Sequence, residues 1–436
     1  MQKVLASEPI PPPVIFDWSI HSWNCNWIED PAWDGVTSHA CAFRRVFTLD
    51  AAAKIRFHIS ADQRYTLYID GMRNGFGPER GDDANWFYQT HEVTLQPGEH
   101  RLVAVVWWTN PRQGLFHLGY HHGLSHLGHL GHRPALMVRG EGAMEEILST
   151  GRGPWEVMPL DGVSFHVPAI KSCGSVGGRT RIDAARMPRG YEAGADGAGA
   201  WRPARKTEAA LLRTHATNVF NPERLLRHGT LPPMIEKTIP AGTVRHAQPL
   251  DATTDPAAIP FDPAKDDAET RAAFQRMLDG QDAVTVPAST TLRVLIDLDD
   301  YVCAWPILDV AGGAGAEVQI DWAESLYEDE NRSSKGNRDT IDGKFFLGIG
   351  DTLVCNGDDV VFEPFWWEAG RYIRLLVKTV QAPLTITSLK LRETHYPHRF
   401  ASRFTCDDRR WRHVFKISKR VLEMCSHETY MDCPYY

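Results

Sequence analysis

Asp432 stands just before Cys433 and Pro434 in the stretch SHETYMDCPYY, directly after a segment with helical periodicity. Pro434 restricts the residue before it and ends regular structure, so the chain turns there. A carboxylate at such a turn has two uses. It can line a pocket and accept hydrogen bonds from ligand hydroxyls, or it can accept backbone N–H bonds as a structural acid. Three other stretches carry residue types capable of chemistry. AESLYEDENRSSKGNRD holds Glu324, Glu328, Asp329 and Glu330. It offers a calcium loop, a sugar-binding rim or a solvated loop, and it lacks the Asp/Asn/Gly spacing of an EF-hand. FEPFWWEAGRYIRL holds Trp366, Trp367 and Tyr372, which form either a sugar-stacking platform or core. HLGYHHGLSHLGHLGH holds His117, His121, His122, His126, His129 and His132. Imidazoles bind zinc, but the spacing is irregular and no carboxylate or cysteine is nearby. This run reads as a surface loop between strands.

The elements that must position these residues are mostly strands. KIRFHIS and RYTLYIDG alternate apolar and polar residues, and Asp70-Gly71 supplies a turn. WFYQTHEVTL and HRLVAVVWW follow, and PALMVRG with EEILST reads as a further hairpin. Residues 172–205 read as an excursion returning to the same sandwich. NPERLLRHGTLPPMIEKTIPAG makes a link stiffened by Pro232-Pro233, and AETRAAFQRMLDG is a short helix within polar sequence. TLRVLIDL, WPILDVAG, AEVQIDWAESL, YIRLLVKTV and LTITSLKLRET then give a second antiparallel set. After Phe404 the period changes. Asp407 and Asp408 suit a helix start. Trp411, Val414, Phe415, Val421, Leu422 and Cys425 form an apolar stripe, opposite Lys416, Lys419 and Arg420. Such a helix cannot bury its stripe alone.

The 436 residues predict several domains: a β-sandwich over 1–215, a linker with a short helix over 216–282, a second sandwich over 283–400, and a helical start over 401–436. A formal charge of −8, spread along the chain, argues against nucleic-acid binding. No apolar run reaches membrane-span length, and the start MQKVLASEPIPPPVIFDW is neither signal peptide nor anchor. The eight scattered cysteines form no CxxC pair and read as reduced thiols of a cytoplasmic protein.

Three segments in order, ESLYEDENRSSKGNRDT, FEPFWWEAGRYIRL and ETYMDCPYY, resemble bacterial α-L-rhamnosidases of glycoside hydrolase family 78. ERLLRHGTLPPMIE and NWIEDP…CAFRRVFTL fit the sandwich domains of that family, so the resemblance covers nearly the whole chain. It implies jelly-roll or lectin-like sandwiches, then the first helix of an (α/α)6 barrel, and inversion at terminal α-L-rhamnosyl groups. It implies that Asp432 binds substrate hydroxyls. The family's general-acid Glu follows the two residues matched by Tyr435 and Tyr436, and its general base lies further along the barrel. An inverting glycosidase needs both, roughly 6.5–9.5 Å apart. The resemblance therefore implies an N-terminal portion truncated at the start of the barrel and inert by itself. It assigns no catalytic residue, metal or cofactor, with carbohydrate as the partner of the full-length enzyme and neither nucleic acid nor membrane. The alternative is a stand-alone lectin-like carbohydrate-binding protein with Trp86, Trp107 and Trp108 as platforms.

Overall fold

The computed structural model describes residues 4–5, 22–110, 115–117, 120–122, 131–166, 179–212, 224–329 and 333–434. The chain is mainly β and divides into two compact units, residues 1–167 with 186–232, and residues 168–185 with 233–436.

In the first unit two sheets enclose one core. One sheet runs Val4–Leu5, Trp86–Leu95, Ala53–Asp62, Ala135–Gly140, Ser22–Glu29, Arg205–Leu211 in spatial order. Leu226–His228 lies parallel to Trp86–Leu95. The other runs Arg202–Pro203, Glu156–Pro159, His39–Leu49, Gly98–Trp108, Arg64–Ile69, Met72–Gly77. Period-two alternation assigns the faces. Ile55, Phe57 and Ile59 of the first sheet meet Phe43, Tyr65, Leu67 and Val106 of the second in a single buried cluster. Each such side chain contributes about 1.5–3 kcal/mol through lost contact with water. Asp70 and Gly71 join Arg64–Ile69 to Met72–Gly77 with φ of 50° and 76°, the left-handed pair that a tight hairpin needs.

The expected EEILST strand is absent. Gly142–Met144 is a 3-10 turn and Glu145–Leu148 a short helix, α1. Met144 and Leu148 are both buried in the core, and a helical turn places residues four apart on one face where a strand does so for residues two apart. The Trp155 indole N–H donates to the Leu148 carbonyl at 2.9 Å and closes that turn. In the histidine run, Leu115–His117 and Tyr120–His122 pair as two short strands. His126 and His129 lie outside the described residues.

In the second unit one strand, Thr291–Gly312, takes part in both halves of the sheet system. Its first half pairs with Thr243–Leu250 and Glu368–Lys378, beyond which lie Glu317–Ala323 and Ile349–Val354. Its second half pairs with Val360–Phe362 and with Leu384–His395, which also carries Ile235–Pro240 and Val284–Val286. Between the halves the register breaks. Asp297 pairs with Tyr372 and Val302 with Gly370, so Leu298–Tyr301 face Arg371 alone and bulge outward. Gly242, at φ 87°, lies against the start of this bulge. A Cβ there would stand 2.3 Å from the Asp297 carbonyl oxygen, so only glycine fits.

Arg179–Asp183, read from the sequence within the first sandwich's excursion, adds to the second unit's sheet in parallel with Ile349–Val354. Buried polar groups fix it there. Arg179 Nη2 lies 3.2 Å from Glu368 Oε2, and the Thr180 N–H donates to Asp351 Oδ1 at 2.7 Å. Beside them Arg374 donates twice to Asp321 Oδ2, at 3.1 and 2.6 Å, and Gln319 Nε2 donates to Asp321 Oδ1 at 2.8 Å. Three carboxyls thus share the interior with two guanidiniums. Burial pushes Asp351 up to about 6 against the pull of Arg179. Burial, then the charges of Asp351 and Asp321, pushes Glu368 well above the usual carboxyl range.

The polar stretch after Leu250 is held by Arg293, which is fully buried. Its guanidinium donates to the carbonyls of Pro256, Ile259 and Pro260 at 3.3, 2.9 and 3.0 Å and to Gln248 Oε1 at 2.7 Å. It also stacks 4.1 Å over the Phe261 ring. Helix α2, Ala268–Leu278, follows under an Asp267 cap that accepts from the Glu269 and Thr270 N–H groups, and it buries Phe274 and Met277. Arg293→Met will leave three carbonyls without that donor at a cost of about 3 kcal/mol. Amides of residues 251–262 will exchange at least tenfold faster in hydrogen-exchange mass spectrometry, with the Trp86–Leu95 strand unchanged.

Candidate functional site

Helix α3, Arg410–Met424, begins after Asp408, whose carboxylate accepts from the Arg410 N–H at 3.0 Å and pairs with its guanidinium. Its C-terminal half is fastened to the second sandwich. Arg420 donates to Glu393 Oε1 at 2.8 Å and to the Tyr301 carbonyl at 2.6 Å, and its Nε lies 3.2 Å from Asp300 Oδ2. The Cys303 thiol donates to the Met424 carbonyl at 3.5 Å. Arg420, expected on the polar face turned from the stripe, is thus the residue that docks the helix. The stripe faces outward: Trp411, Val414, Ile417, Val421 and Leu422 are each 46–56% exposed. Phe404 covers part of it, stacking on Phe415 at 4.7 Å.

The turn after α3 is also pinned. The Met431 N–H donates to the Cys425 carbonyl at 2.9 Å, and the Tyr396 N–H donates to the Ser426 carbonyl at 2.8 Å. The His427 ring stacks on Trp367 with centroids 4.1 Å apart and planes 10° apart. This turn, α3 and the Leu298–Tyr301 bulge enclose a cavity of about 500 Å³. Asp432, Cys433 and Pro434 line it, with Asp299, Asp300, Tyr301, Glu324, His413, Lys416 and Arg420. The volume lies within the usual span for small-ligand sites.

The electrostatics suit binding. Asp299, Asp300 and Asp432 are exposed, and Glu324 is half-buried and paired with Lys335. Burial and then the charge of Asp432 push the Cys425 thiol up, which makes it a poor nucleophile at neutral pH. Carboxylates accept and Lys416 and Arg420 donate, so the walls offer both halves of a hydroxyl's hydrogen bonding.

The structure therefore brings Glu324, from the second sequence candidate, to the same cavity as Asp432, from the fourth. It puts Trp367, from the third, beneath the turn that carries Asp432. Tyr372 and Trp367 are buried, which puts those two in the core, and Trp366 is half-buried. Glu328 and Asp329 accept from Ser334 and Ser333 of their own loop at 2.7 and 2.6 Å. Glu330, Tyr435 and Tyr436 lie outside the described residues. His132 pairs with Asp83 at 2.6 Å. Trp86, Trp107 and Trp108 are all buried and offer no stacking face. Among the described residues Cys25, Cys41, Cys303, Cys355, Cys406, Cys425 and Cys433 form no disulfide, and Cys173 lies outside them. Among the described residues no helix is long and apolar enough to cross a membrane. Sequence reasoning missed Asp299, Asp300 and Tyr301. Their signal was the polar DLDDY interrupting an apolar run of strand length.

No family model and no curated protein matches the chain. Solved structures do. A GH78 family rhamnosidase of Bacillus sp. GL1 matches 95% of this chain and 59% of its own, at 15% identity and a TM-score of 0.69. The α-L-rhamnosidase of Streptomyces avermitilis, solved with L-rhamnose, matches 92% and 33%, at 19% identity and 0.55. That of Aspergillus terreus matches 94% and 41%, at 16% identity and 0.57. The chain thus spans between a third and three fifths of the rhamnosidases it resembles, and what it shares with them is the fold.

Proposed function

We propose that this chain is the sandwich and first-helix part of an α-L-rhamnosidase-like glycoside hydrolase, in which Asp432 binds hydroxyls of a terminal α-L-rhamnosyl group. The observation that carries the reading is the position of Asp432. It lines a ligand-sized, hydrogen-bonding cavity on a pinned turn, within a fold shared over 92–95% of the chain with three rhamnosidases. The part of the outward stripe away from the cavity, Trp411, Val414 and Leu422, is the surface on which neighbouring barrel helices pack, where its apolar area is removed from water. Inverting hydrolysis, which needs a paired acid and base, belongs to the assembled enzyme.

The test is a calorimetric titration of the 436-residue chain with L-rhamnose and with an aryl α-L-rhamnoside. Saturable binding is expected, weakened about tenfold or more in Asp432→Asn by loss of a charged hydrogen-bond acceptor. Thermal unfolding of the variant, measured in parallel, separates a lost ligand contact from a loosened turn. Equal affinity in the two proteins refutes the role of Asp432. Release of nitrophenol from the aryl glycoside by this chain refutes the division between binding here and hydrolysis in the assembled enzyme.

A further inference from the structure

We infer that the Leu298–Tyr301 bulge is a working wall of the same site: Asp299 accepts, and Lys416 of α3 donates, hydrogen bonds to a neutral polyhydroxy ligand in the cavity that Asp432 also lines. This rests on the sugar-binding reading above. The charged groups of the cavity fall into two sets. Arg420 and Asp300 are engaged with each other and with Glu393 and the Tyr301 carbonyl in docking the helix. Glu324 is engaged with Lys335, and Arg338 lies 3.9 Å away. Asp299 and Lys416 are different. Both line the cavity and both are exposed, and among the described residues neither side chain makes an ion pair or hydrogen bond.

Charges of both signs line the cavity, and together they select the ligand class. An anion would meet Asp299 and Asp432, and a cation would meet Lys416 beside Arg420. A sugar hydroxyl donates to a carboxylate and accepts from an ammonium, so it satisfies both walls without carrying charge. Ile417, Val421 and Met424 supply an apolar strip along the same cavity, suited to the C–H face of a pyranose.

Asp299 has φ 65°, a left-handed conformation that glycine adopts freely and Asp more readily than most L-residues. Its N–H is satisfied by Asp297 Oδ1 at 2.9 Å, so the local turn does not depend on the Asp299 side chain. Its carboxylate is free to serve the cavity.

The experiment follows methyl NMR signals of Ile417 and Met424 in the full chain during titration with L-rhamnose. Both signals are expected to move with saturation. Asp299→Asn and Lys416→Met are each expected to weaken the apparent Kd about fivefold or more. Asp299→Gly, which suits the left-handed backbone, will lose the same affinity while its Tm holds or rises. That variant separates a lost carboxylate from a damaged fold. If Asp432→Asn weakens binding and Asp299→Asn does not, the inference falls and the assignment of Asp432 stands. If the reverse holds, the bulge is a sugar site and the role of Asp432 falls. Calorimetric heat without movement of either methyl overturns the inference alone. Neither heat nor movement at about 100 mM sugar, well above the millimolar range of weak binding, overturns both.

Discussion

Arg374→Ala will destabilise the second unit by about 3–5 kcal/mol, the cost of leaving a buried carboxylate without its partner. Asp321 is fully buried and Arg374 nearly so, and the replacement deletes both hydrogen bonds from the guanidinium to Asp321 Oδ2. Gln319 remains as a neutral donor and cannot balance the charge. Urea melts read by hydrogen exchange in Glu317–Ala323 and Glu368–Lys378 will show the loss, while strands of the first unit keep their midpoint. The double variant Arg374→Met/Asp321→Leu removes both charges together. It will recover most of the stability, because an apolar pair of similar size needs no compensation. A double variant as unstable as the single one would mean that packing of the Arg374 stem, including its stacking 4.8 Å from the Phe346 ring, matters more than its charge.

Glu368→Gln will do the opposite above neutral pH. The folded protein holds Glu368 and Asp351 protonated at pH values where the unfolded chain has released those protons, since burial raises both carboxyls. A raised carboxyl pKa means that stability falls as pH climbs from the unfolded value near 4 through the folded one. For Asp351 that window closes near pH 6, and for Glu368 it extends higher. The wild-type urea midpoint will therefore decline from pH 5 to pH 8, and the neutral amide will flatten the decline. The two proteins will match at pH 5. At pH 8 the variant will be the more stable of the two, because the proton that the folded wild type must hold at Glu368 is no longer needed. Parallel curves for the two proteins would show that no proton is held at this position.

The strands were legible because their alternation is local. Ile55, Phe57 and Ile59, or Tyr65, Leu67 and Ile69, announce a half-buried strand without reference to anything distant. Helix α2 was legible from its composition, and α3 from its stripe. EEILST misled because Glu, Ile and Leu fit either period over six residues, and only the burial of Met144 with Leu148 decides. The docking of Arg179–Asp183 depends on Asp351 and Glu368, more than 170 residues further on, and no local pattern encodes it. The same holds for the bulge, whose polar residues resemble a loop until Arg420 arrives from α3. Asp432 was visible through its Cys-Pro neighbours and a family resemblance. Its surroundings were not visible, because they come from strands whose register the sequence leaves open.

The Arg420 clamp also sets an order of events. Strands Thr291–Gly312 and Leu384–His395, which carry Asp300, the Tyr301 carbonyl and Glu393, are synthesised before Arg420 leaves the ribosome, and domains form as units during synthesis. The nascent α3 thus meets a finished docking face. Its inner side is taken by the sheet at Arg420 and Met424, and Trp367 receives His427 as the next residues emerge. The sandwich thus acts as a template that fixes which face of α3 is buried and leaves the stripe outward.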